Sequence, residues 1–394
     1  MRTDGFHILT PFSMLVTEVW RFVFIIPSTT VTPLAGCGKS FSKQPCLEDW
    51  KGSLKNADSR LTADALTPLL AICSDLDETP DAATYFELMR FLNTNQDTSM
   101  GPGVGLEVGN TIYFDMAPGH FSYWNASEAE REKIRALIHS GHIDCLHSYG
   151  DLATTRAHAG RALDELAKHD CRIPVWVDHA IAPTNFGADI MQGHGDEPGH
   201  PAYHADLTMD YGIRHIWRGR ATSVIGQDRP FSLRSIADFH HPIGSMRTLV
   251  KESAKQVLAR HGHPKYKSQA GNPLVSRGSL RDGQSIREFI RCNPSWGGVS
   301  CHDRGDAIHE VLNRRFLDRL VERGGPCILY THLGKLERGE TKRHFLPAVV
   351  AAFRLLAEYH YAGKLQVMTT ARLLDSHAAG WKTVARKPLV FPEL

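Results

Sequence analysis

Residues 66–74 read LTPLLAICS, and residues 75–78, which follow at once, read DLDE. The first segment is an apolar run of strand length, and the second contains three acidic side chains. Residues 81–93 then place apolar side chains at a helical period. A buried strand that ends in acids and leads into a helix is the repeating unit of an α/β fold.

The same alternation of apolar runs and amphipathic segments continues along the chain. Further strands are predicted at 111–114, 142–146, 173–177, 212–217, 327–330 and 365–368, and helices at 127–140, 153–169, 203–210, 307–323, 346–359 and 371–377. Ser127 and Glu130 form a capping-box sequence at the start of one of these helices. The pattern predicts a mostly parallel sheet covered by helices, and both a closed barrel and an open doubly wound sheet satisfy it.

Composition and periodicity also divide the chain. Its 394 residues are 42% apolar and include 17 Phe, 10 Tyr and 7 Trp, which excludes disorder over most of the length. Residues 1–62 are predicted to be an irregular N-terminal extension. Residues 63–380 then form the α/β domain, with a weakly periodic insertion around 226–300, and 381–394 form a tail.

Charge and hydropathy exclude two classes of function. The formal net charge is +2 and no basic stripe is visible, which argues against nucleic-acid binding. No apolar stretch approaches the roughly 20 residues that a transmembrane helix needs. The sequence does not indicate an oligomeric state.

The positions of the eight cysteines indicate in which cellular compartment the protein resides. Cys73, Cys145 and Cys327 lie inside apolar runs, which predicts buried free thiols and favours a reducing, cytoplasmic environment. Residues 34–37 (LAGC) have the form of a lipoprotein cleavage box, so a lipid anchor at Cys37 is the alternative.

Ionisable side chains follow five of the predicted strands. In parallel α/β folds, ligands bind beyond the carboxyl ends of the strands, so these side chains are expected to meet at one edge. They are Asp75, Asp77, His147, Asp151, Asp178, His179, Arg218 and His332.

Four of these side chains have the spacing of a metal site. Asp75 and Asp77 are two residues apart and share one face of an extended chain. His147 and Asp151 are four apart and converge if the chain turns helically after its strand. Two carboxylates and one imidazole make a three-ligand site with open positions, which suits Zn²⁺ and also Mn²⁺ or Co²⁺. The alternative is that the two aspartates only cap the following helix.

The order of these motifs resembles the polysaccharide deacetylases of carbohydrate esterase family 4. The resemblance covers about residues 65 to 378. It consists of the acid pair after the first strand, the HSYGD sequence at 147–151, the LYTH sequence at 329–332 and the KLQVMTTARLL sequence at 364–374. It implies a distorted (β/α)₇-type barrel, a carbohydrate substrate, and the removal of N-acetyl groups from aminosugars with a divalent metal.

The resemblance also implies roles for individual residues. Asp75 matches the catalytic base of the family and His332 matches its general acid. Asp77 matches the metal-binding acid and His147 the first metal histidine. Asp151 stands where the family usually has a second metal histidine.

The chain departs from the family pattern in two further places. Leu76 separates acids that are usually adjacent, so which aspartate is base and which is ligand stays open. The Arg-x-Pro sequence of the family follows its strand, whereas residues 172–174 precede theirs. Asp178, His179 and Arg218 are therefore the predicted substrate-binding residues in that space.

Trp217, Trp176 and Trp296 are candidates for a platform on which a sugar ring stacks, and the alternative is that all three belong to the core. Two other functions remain open: a metal-dependent amidohydrolase that acts on a non-sugar amide, and a carbohydrate-binding relative without turnover.

Overall fold

Strands and helices alternate through most of the described chain. The computed structural model describes residues 68–76, 78–180, 182–232, 236, 242–294, 304–336, 344–381 and 387–394. All of them belong to the second of two units of the chain, residues 61–394. The predicted extension 1–62, its Cys37 and the residues Asp77 and Trp296 lie outside the described residues.

The described strands are β1 Leu69–Ser74, β2 Asp97–Thr98, β3 Gly101–Pro102, β4 Asn110–Ile112, β5 Ile143–His147, β6 Val175–Val177, β7 His215–Trp217, β8 Ala221–Thr222, β9 Val275–Ser279, β10 Ser285–Phe289, β11 Arg291–Cys292, β12 Pro326–Thr331 and β13 Gln366–Val367. The described α-helices are α1 Ala82–Asn93, α2 Glu128–His139, α3 Arg156–Lys168, α4 Ala205–Tyr211, α5 Pro242–Arg260, α6 Ile308–Val311, α7 Arg314–Arg323, α8 Pro347–Tyr361 and α9 Thr370–Ala378. The alternation predicted from the sequence is therefore confirmed for the described residues.

The main sheet is parallel apart from one antiparallel pair, β9 with β10. Its strand order is β8-β11-β12-β1-β4-β5-β6-β7-β10-β9, with β13 also paired to β1. Strand β10 pairs with β7 and strand β11 pairs with β12, yet a single residue separates β10 from β11 along the chain. Two distant parts of the sheet must therefore approach each other, and the sheet curls. Its end strands β8 and β9 do not pair with each other.

The fold is thus a curled, parallel-rich α/β sheet with barrel-like character, as the predicted distorted barrel implies, but among the described residues the sheet does not close as a (β/α)₇ barrel. The difference from a regular barrel arises in the predicted insertion around 226–300. This segment supplies α5, the β9–β10 hairpin and β11. Strands of two residues at β8 and β11 are too short to close the sheet regularly.

Strand β1 lies inside this sheet and is buried throughout. It pairs in register with β12, from Leu69 opposite Pro326 to Ser74 opposite Thr331. Because successive side chains of a strand point to opposite faces, alternate residues of β1 join different cores. Ala71 packs inside the curled sheet, whereas Ile72 packs under the helices.

Helix α2 shows how local sequence sets the elements around the sheet. The Ser127 hydroxyl accepts from the Glu130 backbone N–H, and the Glu130 carboxylate accepts from the Ser127 N–H, so the predicted capping box is formed. The helix buries Ile134, Leu137 and Ile138. The predicted helix 307–323 is instead divided into α6 and α7, because the Asn313 side chain caps a new helix by accepting from the Phe316 N–H.

The described cysteines agree with the sequence analysis. Cys73, Cys145, Cys171, Cys292 and Cys327 are free and buried. Among the described helices, none combines the length and the apolar character needed to span a bilayer.

A buried hydrogen-bond chain beside the sheet predicts how the stability depends on pH. His204 Nε2 donates to the Thr184 carbonyl oxygen (2.8 Å), and its Nδ1 accepts from the Thr208 hydroxyl (2.8 Å). Burial lowers the pKa of His204 to about 4, and bonds to the backbone only partly oppose this. His142 and His215 are buried in the same way, and each has a pKa of about 4.

The neutral form of His204 is therefore the one that the fold stabilises. Since the folded pKa lies below the unfolded value of 6.5, this stabilisation is present above about pH 6.5 and is lost as the pH falls towards 4. For His204 it amounts to about 3 kcal/mol. Chemical denaturation of wild type and of His204→Gln between pH 7.5 and 4.5 tests this. The variant should lose less unfolding free energy over that range, and equal pH slopes would contradict the assignment.

Candidate functional site

A cavity of about 360 Å³ lies beyond the carboxyl ends of the central parallel strands. Six of the nine residues predicted for the site line it, although they are up to 257 positions apart in the chain. They are Asp75, His147, Asp151, Asp178, His179 and His332. The structure therefore brings most of the predicted side chains to one place.

Asp75 follows β1 directly and is held by a buried arginine. Its Oδ2 and Oδ1 accept from the Nη1 (2.8 Å) and Nη2 (2.9 Å) of Arg291, and both side chains are almost fully buried. The guanidinium also lies 4.0 Å from the centre of the Trp217 ring and 5.0 Å from that of Tyr330. Burial alone would lower the pKa of Arg291, but the charge of Asp75 raises it above its ordinary value.

Arg291 is a residue that the sequence analysis missed. It lies on β11, whose backbone is fixed by pairing with β12 and by a bond from the Arg291 N–H to the Arg220 carbonyl. The feature of the sequence that could have revealed this residue is a lone arginine in the apolar run FIRC at 289–292. A charge in such a run is buried only when a partner compensates it.

His147 is the last residue of β5 and reaches the same carboxylate. Its Nδ1 lies 3.4 Å from Asp75 Oδ1. The His147 ring is 4.7 Å from the His179 ring and 5.8 Å from the Tyr113 ring, measured between centroids. Two imidazoles and a carboxylate thus lie side by side in a nearly buried setting.

Asp151 reaches His179. The chain does not continue as a helix after β5, because Ser148 (φ 46°) and Gly150 (φ 99°) both adopt left-handed backbone conformations. The helical turn that was the condition for His147 and Asp151 to converge is therefore not formed. Asp151 Oδ1 lies 3.0 Å from His179 Nδ1 and thus contacts the second imidazole of the site.

Asp178 presents one carboxylate oxygen with no hydrogen-bond partner among the described residues. Its Oδ1 accepts from Trp176 Nε1 (2.7 Å) and from the Phe186 N–H (2.9 Å), whereas its buried Oδ2 has no such partner. Burial raises the pKa of Asp178 to about 7, although these two bonds and the Arg218 charge act in the opposite direction. A carboxyl that titrates near neutrality therefore lines the cavity.

His332 enters the cavity at the end of β12. The β1–β12 register continues into a bond from the Asp75 N–H to the Thr331 carbonyl (2.8 Å), so the two strand ends carry Asp75 and His332 side by side. The Tyr330 hydroxyl lies 3.4 Å from His332 Nε2. The predicted base and acid thus come from neighbouring strands.

Trp217 and Arg218 do not line the cavity, and their prediction as substrate contacts is not supported by where they lie. Trp217 is fully buried, its Nε1 donates to the Arg220 carbonyl (2.6 Å), and Arg291 covers its ring. Arg218 forms a bidentate pair with Glu288 (both 3.1 Å). Trp176 is also fully buried, so neither of the two candidate tryptophans that the structure describes offers a face to a sugar.

The loops at the cavity contain unusual backbone conformations. Glu78 (φ 59°), Ser148 (φ 46°) and Ala180 (φ 39°) are non-glycine residues in the left-handed region, and each follows a strand whose end carries a predicted site residue. Such conformations cost about 1–2 kcal/mol each and are concentrated at functional sites. Lys335 and Glu78 pair at 2.9 Å at this end of the fold.

The cavity residues bear on the predicted divalent metal through their arrangement and through their donor atoms. Among the described residues, no group of three or more His, Cys, Asp or Glu side chains is arranged to hold a metal ion. Asp77, the third predicted ligand, lies outside them. The donor types of the two described ligands fit, because His147 supplies an imidazole nitrogen and Asp151 a carboxylate oxygen to one cavity.

Comparisons with known proteins give no specific relative. No protein-family model matches the sequence, and no curated protein matches it. One similar structure is a 4-α-glucanotransferase from Thermococcus litoralis, with 8% identity, a TM-score of 0.37 and coverage of 79% of this chain but 40% of that one. Another is an endo-β-1,3-glucanase from Amycolatopsis mediterranei in complex with laminarihexaose, with 10% identity, a TM-score of 0.24 and coverage of 73% and 98%. At these scores neither likeness bears on the activity.

Proposed function

We propose that the chain is a metal-dependent hydrolase that removes N-acetyl groups from the aminosugars of a poly- or oligosaccharide. The observation that carries the proposal is the cavity in which Asp75, His147 and His332 meet from three separate strands. The substrate class comes from the resemblance of the same residues to the polysaccharide deacetylases.

Asp75 is the proposed base. Its two oxygens are fixed by Arg291, and His147 lies against one of them, so the carboxylate has a defined direction in the cavity. A carboxylate held in this way is suited to accept a proton from the water that attacks the amide carbonyl.

His332 is the proposed acid. An amine is a poor leaving group, so hydrolysis of an amide requires a proton donor at the departing nitrogen. His332 lies beside Asp75 at the end of the neighbouring strand, and the Tyr330 hydroxyl near its Nε2 restrains its ring. One group can thus take a proton while the other gives one.

Asp77, His147 and Asp151 are the proposed metal ligands, and Zn²⁺ is the proposed ion, with Mn²⁺ or Co²⁺ as alternatives. A divalent cation supplies Lewis-acid polarisation of a carbonyl and of a water molecule at such a site. His179 contacts Asp151 at 3.0 Å and therefore orients that carboxylate.

Asp178 and His179 are the proposed substrate contacts. The buried Oδ2 of Asp178 is an acceptor that a substrate hydroxyl or amide N–H can satisfy. A buried acceptor left unsatisfied costs about 1–3 kcal/mol, so a substrate that supplies the donor is favoured over one that lacks it.

Replacement of His147 by Ala is expected to abolish both metal binding and acetate release, because the variant lacks the one imidazole among the proposed ligands. Calorimetric titration of the metal-stripped chain with Zn²⁺ measures the first effect, and acetate quantification measures the second. His261→Ala, an exposed histidine outside the cavity, is the matched control and should behave as wild type. Stoichiometric Zn²⁺ binding by His147→Ala would contradict the assignment.

A substrate panel tests the reaction itself. We expect acetate release from N-acetylated aminosugar oligomers and little release from simple acetamides of the same concentration. The reverse preference would assign the site to a non-sugar amide. Tight binding of the oligomer without acetate, at full metal loading, would indicate a carbohydrate-binding protein without turnover.

A further inference from the structure

The pairing of β1 with β12 changes where the two strands reach the cavity. The regular register ends with Ser74 opposite Thr331, and the Asp75 N–H then donates to the Thr331 carbonyl (2.8 Å). In a regular parallel ladder, the N–H and the carbonyl of one residue bond to two residues that are two apart on the neighbouring strand. Continuation of the ladder would therefore place the Leu333 N–H on the Asp75 carbonyl.

A side-chain hydroxyl takes the place of that bond. The Leu333 N–H donates to Ser74 Oγ (3.0 Å), and Ser74 Oγ donates to the Asp75 carbonyl oxygen (3.3 Å). Ser74 and Leu333 are both almost fully buried. The hydroxyl thus lies between the two strands at the step of the ladder where Asp75 and His332 face each other.

The Ser74 side chain lies outside the cavity. Because successive side chains of a strand alternate between its faces, Ser74 shares the face of Ile72, which packs under the helices, whereas Asp75 lines the cavity. Ser74 itself does not line the cavity. It can therefore affect a reaction there only through the backbone that carries its neighbours.

A close contact limits the His332 loop from the other side. A Cβ atom at Gly334 would clash with Thr79 Oγ1, so a glycine is needed for this loop to pass the segment that follows β1. The Lys335 N–H donates to the His332 carbonyl (3.1 Å) and closes the loop into a turn. The separation of the two loops is thus set by the Ser74 hydroxyl and, just beyond it, by a missing side chain.

We propose that Ser74 is a positioning residue whose hydroxyl spaces the backbone of His332 from that of Asp75. This spacing lets the imidazole reach the departing nitrogen while the carboxylate reaches the attacking water. The inference rests on the proposed function, in which these two side chains are acid and base. Arg291 holds both oxygens of Asp75 independently, so a change at Ser74 should move His332 and leave the Asp75 carboxylate in place.

Ser74→Ala tests the proposal by removing a single oxygen atom. The Leu333 N–H then either bonds directly to the Asp75 carbonyl or loses its partner, and in both cases His332 moves. We expect kcat for an N-acetylated aminosugar oligomer to fall about 10–100-fold with KM nearly unchanged, because misplacement by about 1 Å has an effect of this size. The rate with 4-nitrophenyl acetate should stay within about twofold of wild type, since 4-nitrophenolate leaves without a proton.

Thr111→Val is the matched control. It removes a buried hydroxyl from the adjacent strand β4, and this hydroxyl forms no hydrogen bond with the described residues. The variant should match wild type on both substrates.

The NMR signals of the His332 ring give a second readout that needs no turnover. They are identified by their absence in His332→Ala. We expect them to shift in Ser74→Ala and in Gly334→Ala, which presses the same loop away from Thr79, and to stay in place in Thr111→Val.

Three results would overturn the proposal: oligomer hydrolysis by Ser74→Ala within about twofold of wild type, an equal loss on the amide and the ester, or His332 signals that Ser74→Ala leaves unshifted. A wild type that releases no acetate would contradict the proposed function instead. The His332 signals would still decide in that case whether Ser74 positions this side chain.

Discussion

Arg291→Met is expected to lower the free energy of unfolding by about 3–5 kcal/mol and to abolish acetate release. The substitution leaves the Asp75 carboxylate buried at 2% exposure without its bidentate partner. It also removes the guanidinium that lies over the rings of Trp217 and Tyr330. Chemical denaturation at pH 7 measures the first effect, and acetate quantification measures the second.

Two further variants distinguish the effect of the charges of Asp75 and Arg291 from the effect of the two-point contact between them. The double variant Asp75→Asn with Arg291→Met removes both charges, so it should recover most of the lost stability and none of the activity. Arg291→Lys keeps the charge but cannot make the planar two-point contact, so its stability should lie between the two. An Arg291→Met protein that unfolds within 1 kcal/mol of wild type would show that the pair does not hold the site.

His332→Ala is expected to slow amide hydrolysis by about 10²–10⁴-fold and to leave ester hydrolysis nearly unchanged. The reason is the leaving group: an amine must be protonated as it departs, whereas 4-nitrophenolate leaves without a proton. Steady-state rates with an N-acetylated aminosugar oligomer and with 4-nitrophenyl acetate measure the two reactions on one protein.

Tyr330→Phe is the companion variant, because it removes the hydroxyl 3.4 Å from His332 Nε2 and keeps the ring that covers Arg291. It should lose less amidase activity than His332→Ala and show the same contrast between amide and ester. An equal loss on both substrates in His332→Ala would place His332 in binding rather than in proton transfer.

The part of the site that could be predicted from the sequence depends on one rule of the fold. Parallel strands deliver their carboxyl ends to the same edge, so apolar runs that end in Asp75, His147 and His332 were sufficient to predict a shared location. The helix after Ser127 was predictable for a similar reason, because the capping box is a local pattern that needs no tertiary contact.

The errors arise where the answer depends on side-chain direction or on a distant partner. Trp217 ends β7 with its ring inside the curled sheet, and a strand boundary does not tell which face a terminal side chain takes. Asp151 meets His179 because Ser148 and Gly150 turn the chain, which a spacing of four residues does not reveal.

Arg291 was missed because its partner is 216 residues away and its own segment has little periodicity. The two-residue strand that carries it is defined by its pairing with β8 and β12, and local pattern does not specify such a strand. Tertiary contacts override local preference in short strands of this kind.

Acetate release from an N-acetylated aminosugar oligomer, measured before and after metal removal, tests the central claim most directly. The account predicts turnover by the Zn²⁺-loaded chain, loss of turnover after chelation, and recovery on addition of one equivalent of Zn²⁺, Mn²⁺ or Co²⁺. Acetate release that persists in the metal-free chain would contradict the account, as would its absence with each of the three metals.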